Sequence, residues 1–251
     1  MPHAPRGRSL HTATHALDLP PPFRLVALRE VGDAFAHAVG HAGALGAGTF
    51  VYVGRFDLAE FAVVLEPEQP LAAARLVFYA AMGALGDALS AAAPPEKPIT
   101  VTWPDAVAID GGLVGGGRLA WPDGADEDAV PEWLVFGATI RTVFVDRDAG
   151  LYPLATALAE EGFVETGSER LAESFARHLM VALDRWQERG IAAITRDYLA
   201  RLAPPAGARG TLDAAGDLVL ARPGRPAERR PLAAALRMPS WLDPATGGPR
   251  L

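Results

Sequence analysis

The stretch ITVTWPDAVAIDGGLVGGGRLAW, residues 99–121, compresses strand-forming apolar residues, two tryptophans, an acid beside a proline, an arginine and five glycines into one short span. It divides itself into a strand from Ile99 to Trp103, a turn at Pro104 and a second strand from Ala106 to Ile109. An Asp110-Gly111 turn, a strong short hairpin signal, then leads into a third strand from Leu113 to Trp121. Gly115, Gly116 and Gly117 leave that strand's backbone without side chains, which marks a bulge or the close approach of a ligand or another backbone.

On the N-terminal side, Leu71, Ala74, Val77, Phe78, Ala81, Leu85 and Leu89 recur at helical spacing, and the pair Pro94-Pro95 ends the helix Leu71 to Ala92. Before it, Thr49 to Gly54 and Glu60 to Glu66 read as strands, Val31 to Leu45 as an amphipathic helix and Phe23 to Arg29 as a short strand. Residues 1–21, rich in Pro, His, Arg and Thr without periodicity, read as a loose arm. On the C-terminal side, an acidic loop from Pro122 to Glu132 precedes a β-branched, aromatic strand from Trp133 to Val145. Leu171, Phe175, Leu179, Leu183 and Trp186 then space out a long helix closed by Gly190, and Ile191 to Leu202 a shorter one. Beyond a Pro/Ala/Gly linker, residues 207–238 read as a small β domain built on a hairpin from Arg209 to Arg222, and residues 239–251 as a surface tail. The main body therefore spans residues 22–203.

Half of the 251 residues are hydrophobic and 21% are charged, the balance of a globular chain able to bury a sizeable core. The net charge of −7 argues against a nucleic-acid partner, which needs clustered positive charge. The residues also show no apolar run of membrane-spanning length and no secretory leader, so no membrane partner and a cytoplasmic location are expected. Cysteine is absent, which removes disulfides, thiolate metal sites and cysteine nucleophiles together. Lys97 is the only lysine, so any lysine chemistry falls to it. His37 and His41 sit one helical turn apart without a third ligand, and no metal site is expected.

The order V-T-W-P-D, Gly-Gly, W-L-V-F-G-A-T-I-R, R-D-Y-L-A-R-L and R-G-T-L-D-A-A-G-D-L-V-L, from about Pro22 to Leu236, resembles the biotin/lipoate protein ligase family. The resemblance implies an α/β (α+β) fold: a mixed, mainly antiparallel sheet packed by helices, with a small SH3-like β C-terminal domain. It also implies two-step chemistry. A carboxylic acid such as biotin or lipoate attacks the α-phosphate of ATP, held with Mg2+, and the acyl-adenylate then acylates a lysine of a lipoyl or biotinyl carrier domain. Carried over by position, Trp103, Pro104, Gly115, Gly116 and Gly117 fall on the acid pocket, and Arg55, Gly137, Thr139 and Arg141 on the nucleotide site. The family's two lysines fall on Thr102 and Leu113, and only Gly54 and Arg55 remain of its phosphate loop.

Arginine grips carboxylate or phosphate in a bidentate fork and stays charged, so Arg118, with Asp105 beside Pro104, is the candidate catalytic pair. Arg55, Arg118 and Arg141 are expected to clamp one anion. Two further readings stand beside the ligase: a member without catalysis that binds an acid or an acylated carrier domain, and a scaffold that associates, as a homodimer, through its sheet. An octanoyl transferase mechanism that depends on cysteine is excluded by composition.

Overall fold

The computed structural model describes residues 17–30, 32–145, 152–164 and 166–251. A seven-stranded sheet runs in the order β1-β2-β3-β7-β6-β5-β4, from β1 (Arg24–Leu28), β2 (Thr49–Val53), β3 (Leu58–Leu65), β4 (Ile99–Thr102), β5 (Ala106–Ile109), β6 (Gly112–Ala120) and β7 (Leu134–Arg141). Only β1 and β2 pair in parallel, across the crossover helix α1 (Ala34–Leu45); the remaining pairs are antiparallel. The mixed, mainly antiparallel sheet expected from the sequence is thus the observed one. Val31 and the arm's residues 1–16 lie outside the described residues, and α1 starts at Ala34, where Asp33 caps the first turn through the Ala36 amide.

The stretch read as one helix from Leu71 is two: α2 (Leu71–Ala74) and α3 (Val77–Ser90), joined where the amides of Leu76, Phe78 and Tyr79 reach back only three residues, to the carbonyls of Ala73, Arg75 and Leu76. Twelve of the fourteen residues of α3 are buried, as a helix apolar all round requires. Contrary to the sequence expectation, Leu71–Ser90 does have the length and mean hydropathy (1.3) of a membrane span, but 83% of it is buried, as in a core helix. It packs between the sheet and the helices α4 (Ser168–Arg189) and α5 (Ile191–Arg201). The pleat decides which strand residues meet these helices. Val114, Leu119, Phe136, Ala138 and Ile140 point to the α3 side, and the alternate residues point to the side covered by α1.

The C-terminal β8 (Arg209–Leu212), β9 (Leu218–Arg222) and β10 (Arg225–Arg230) form a separate antiparallel sheet of three strands. Pro223 to Glu228 is mostly strand, because the chain reverses within the two residues before Arg225. The β8–β9 turn seats on the start of α3, where the Tyr79 hydroxyl donates to the Gly216 carbonyl at 2.5 Å. After the short helix α6 (Leu232–Ala235) the chain returns to the large sheet. Residues 239–251 are therefore no surface tail: Trp241 is 1% exposed, and its indole Nε1 donates to the Gly117 carbonyl at 3.1 Å. An indole of that size has to be covered, and the bare glycine backbone of β6 is the flat surface that accepts it.

Candidate functional site

The side of β6 and β7 away from α3 carries the chemistry. Pairing across the strands puts Gly116 beside Thr139, and Thr139 beside Glu60 of β3, in one row; Arg118 stands beside Gly137 in the next row on the same face. Each missing side chain there is filled from elsewhere. A Cβ on Gly116 would collide first with the Asp105 carbonyl, at 2.0 Å, and then with the Trp241 indole, at 2.4 Å, and one on Gly137 would come within 2.6 Å of the Phe35 ring from α1. Gly137 therefore receives a helix side chain rather than leaving a slot for a nucleotide.

Three of the expected pocket residues point elsewhere. Gly117 faces Met82 of α3, where a Cβ would fall 2.6 Å from Sδ. Trp103 packs against the helical core and donates from Nε1 to the Tyr79 hydroxyl at 3.0 Å. Pro104 is buried, and its carbonyl accepts from Tyr198 at 2.8 Å. Gly115 has a structural reason to be glycine: its φ is +150°, at the bulge between β5 and β6, with the Thr139 carbonyl where a Cβ would stand. Of the glycine run, only Gly116 opens onto the face.

Asp105 does reach it. The residue is 1% exposed, and its carboxylate accepts from Ser240 twice, from the amide at 2.9 Å and from the hydroxyl at 2.6 Å. Burial pushes the Asp105 carboxyl up to about 6, against the pull of the two Ser240 hydrogen bonds. The polar group expected to face a substrate is instead engaged by the chain's own C-terminal segment.

Arg55, Arg118 and Arg141 do not converge on one anion. Arg118 is level with Gly137 and Arg141 lies four residues further along β7, about 13 Å of strand. The Arg118 guanidinium lies 4.3 Å over the Phe35 ring and 3.5 Å from Asp33. Its Nε is buried with no partner among the described residues, and burial lowers its pKa, opposed by Asp33 and Glu60. Arg55 is held in a two-pronged bond by Asp57, at 2.8 and 2.7 Å, with Glu60 3.9 Å away. Arg141 donates to the carbonyls of Thr156 at 3.2 Å, Pro249 at 2.6 Å and Arg250 at 3.1 Å, so it rivets the C-terminal segment to β7. Glu60, within reach of both Arg55 and Arg118, has its pKa raised by burial and caps α1 by accepting from the Ala34 amide at 2.7 Å.

Two cavities open on this face, one on each side of the segment. The first, about 320 Å³, is lined by Phe35, Arg118, Trp121, Leu236, Arg237 and Leu242. The second, about 270 Å³, is lined by Arg55, Asp57, Arg141, Phe144, Tyr152 and Asp243 among others. The residues present do not fit a nucleoside triphosphate with its metal. Arg55 and Arg118 already face carboxylates, and Lys97 is held by Asp110 and Glu161 at 3.0 and 2.7 Å. Among the described residues no cluster of acids or histidines can hold a metal ion; His37 and His41 stack at 4.5 Å with no third partner of that kind. Phe35, Glu60 and Trp241 belong to the site without having been expected there. An acid inside the apolar run Leu58–Leu65 was the one signal in the sequence for Glu60, and nothing local marked the other two.

The sequence profile of the biotin/lipoate A/B protein ligase family matches residues 19–200. No curated protein matches the chain in sequence. Among solved structures, a biotin protein ligase-like protein of unknown function from Silicibacter sp. TM1040 is 29% identical, with a TM-score of 0.77 over 87% of this chain and 98% of that one. The biotin protein ligase of Aquifex aeolicus is 14% identical with a TM-score of 0.66, covering 83% of this chain and 95% of that one. In complex with biotin and ATP the same Aquifex enzyme gives 14% identity and a TM-score of 0.63, over 82% and 94% of the two chains. At that identity these last two likenesses show the fold alone. With the profile match covering most of its length, this chain belongs to the biotin/lipoate A/B protein ligase family.

Proposed function

We propose that this protein binds a small carboxylic acid of the biotin or lipoate class and does not itself activate the acid with ATP. The observation that carries this reading is Arg118: a buried cation with an unpartnered Nε, lining a cavity of about 320 Å³ whose other walls include Phe35, Trp121, Leu236 and Leu242. Aromatic and aliphatic walls around a buried cation suit an acid with an apolar body, and the volume lies at the lower end of small-molecule sites. Phe35 holds the guanidinium from one side, so the carboxylate approaches it from the cavity. Arg237 adds charge at the rim. The acids Asp33, Asp57 and Glu60 leave too little net positive charge for a triphosphate.

Calorimetric titration with biotin, lipoate and octanoate tests this directly. At least one acid should bind, and Arg118→Gln should weaken it at least tenfold, the effect of removing a hydrogen bond to a charged group, about 1.5–3 kcal/mol. Unchanged affinity in the variant would refute the assignment. Pyrophosphate release on adding ATP and any of the three acids would establish the ligase reading instead, which family membership favours.

A further inference from the structure

Residues 239–251 lie over the part of the sheet where Gly116 carries no side chain and Thr139 and Arg141 stand on the same face. Trp241 fills the space over Gly116, Ser240 binds Asp105, and the carbonyls of Pro249 and Arg250 meet Arg141. The segment is also closed on itself. Asp243 N–H donates to the Gly248 carbonyl at 2.9 Å, Gly247 N–H to the Asp243 carbonyl at 2.8 Å, and Arg250 N–H to the Trp241 carbonyl at 2.8 Å. It is thus a compact loop with its own hydrogen bonds, attached at a few anchors, and the chain just before it passes through Met238, which is 81% exposed. Beside its anchors two groups sit poorly. The Thr139 hydroxyl, in register with Gly116, is fully buried with no partner, and the Asp105 carboxylate is shut away from water.

We propose that this loop is a reversible plug: in the folded protein it leaves the sheet as one unit, joining the two flanking cavities into a single cleft floored by Arg118, Thr139 and Arg141. Seated, it closes that cleft to any ligand longer than the first cavity; withdrawn, it lets water reach Thr139 and Asp105. The proposal rests on the loop's own contacts and stands whether or not an acid occupies the Arg118 cavity.

The natural absence of cysteine gives a clean background for thiol labelling of the full chain. Thr139→Cys puts a thiol of nearly the same size under the plug. Ala138→Cys, its neighbour on the strand, puts one in the helical core, reachable only by wider unfolding. In native buffer the Thr139 thiol should react with a soluble maleimide at least about tenfold faster than the Ala138 thiol. Adding Ser240→Ala, which removes an anchor worth about a factor of ten, should speed the first again and leave the second unmoved. Circular dichroism confirms that the fold is retained in each variant, and Trp241→Phe, a smaller change, gives a second route to the same comparison. Equal rates at the two positions, insensitive to Ser240→Ala, would overturn the proposal: the loop would then be a permanent wall that opens only when the protein unfolds.

Discussion

Asp105 shows how one buried charge ties stability to pH. Its carboxyl, near 3.9 in an unfolded chain, is pushed up to about 6 in the folded protein by burial, against the pull of the two bonds from Ser240. A group with a raised folded value contributes its stability below the unfolded value and loses it as pH rises through about 6. The charged form therefore weakens the fold by about 3 kcal/mol above that pH. An amide can keep both partners, its oxygen accepting from the Ser240 amide and its nitrogen donating to the Ser240 hydroxyl. Asp105→Asn should thus be more stable than the parent in urea at pH 7.5 and indistinguishable from it near pH 4. A variant that is weaker at pH 7.5 would contradict the origin assigned to the shift. The sequence made Asp105 visible through Trp-Pro-Asp but not its partner, because Ser240 lies 135 residues away along the chain.

At the scale of elements, strands and helices were readable because their periods of two and 3.6 are written locally. The sides they present were not. Gly115, Gly116 and Gly117 of β6 meet three different neighbours, the Thr139 backbone, Trp241 and Met82, since a bulge shifts the register after Val107. The expected arginine clamp failed for a related reason: Arg118 and Arg141 share a face but sit about 13 Å apart along it, with the C-terminal loop between them. Helix α1 supplies the other missing part. Phe35 lies on Gly137 and holds Arg118, so Gly137→Ala should lift the ring, destabilise the protein by about 1–3 kcal/mol and loosen acid binding together. Denaturant unfolding and titration of the same sample check this. Loss of stability with acid affinity unchanged would show that Phe35 packs without organising the site.

For the whole molecule, the order of elements carried both the fold and the family, because that order survives where single motif residues have changed. What did not survive in the motifs, the lysines and the phosphate loop, is also what the folded site lacks. The mode of closure could not be read, since the large sheet is completed by a loop that follows a second, smaller sheet. That smaller sheet has few buried residues of its own, Leu218 and Leu220 chief among them, and depends on docking. Its seat is Gly216, with φ at +81°, whose Cβ would run into Leu76 and come within 3.2 Å of the Tyr79 ring. Gly216→Ala therefore combines a strained backbone, about 1–3 kcal/mol, with a steric wedge under the turn. The small sheet should come off α3 while the large one stays folded, so a single thermal transition should become two, and the linker at residues 203–208 should be cut early by protease. The C-terminal loop follows this sheet in the chain, so its hold on Asp105 should loosen with it. One transition at the parent midpoint, with the linker still protected, would mean that the small sheet is held by contacts other than this turn.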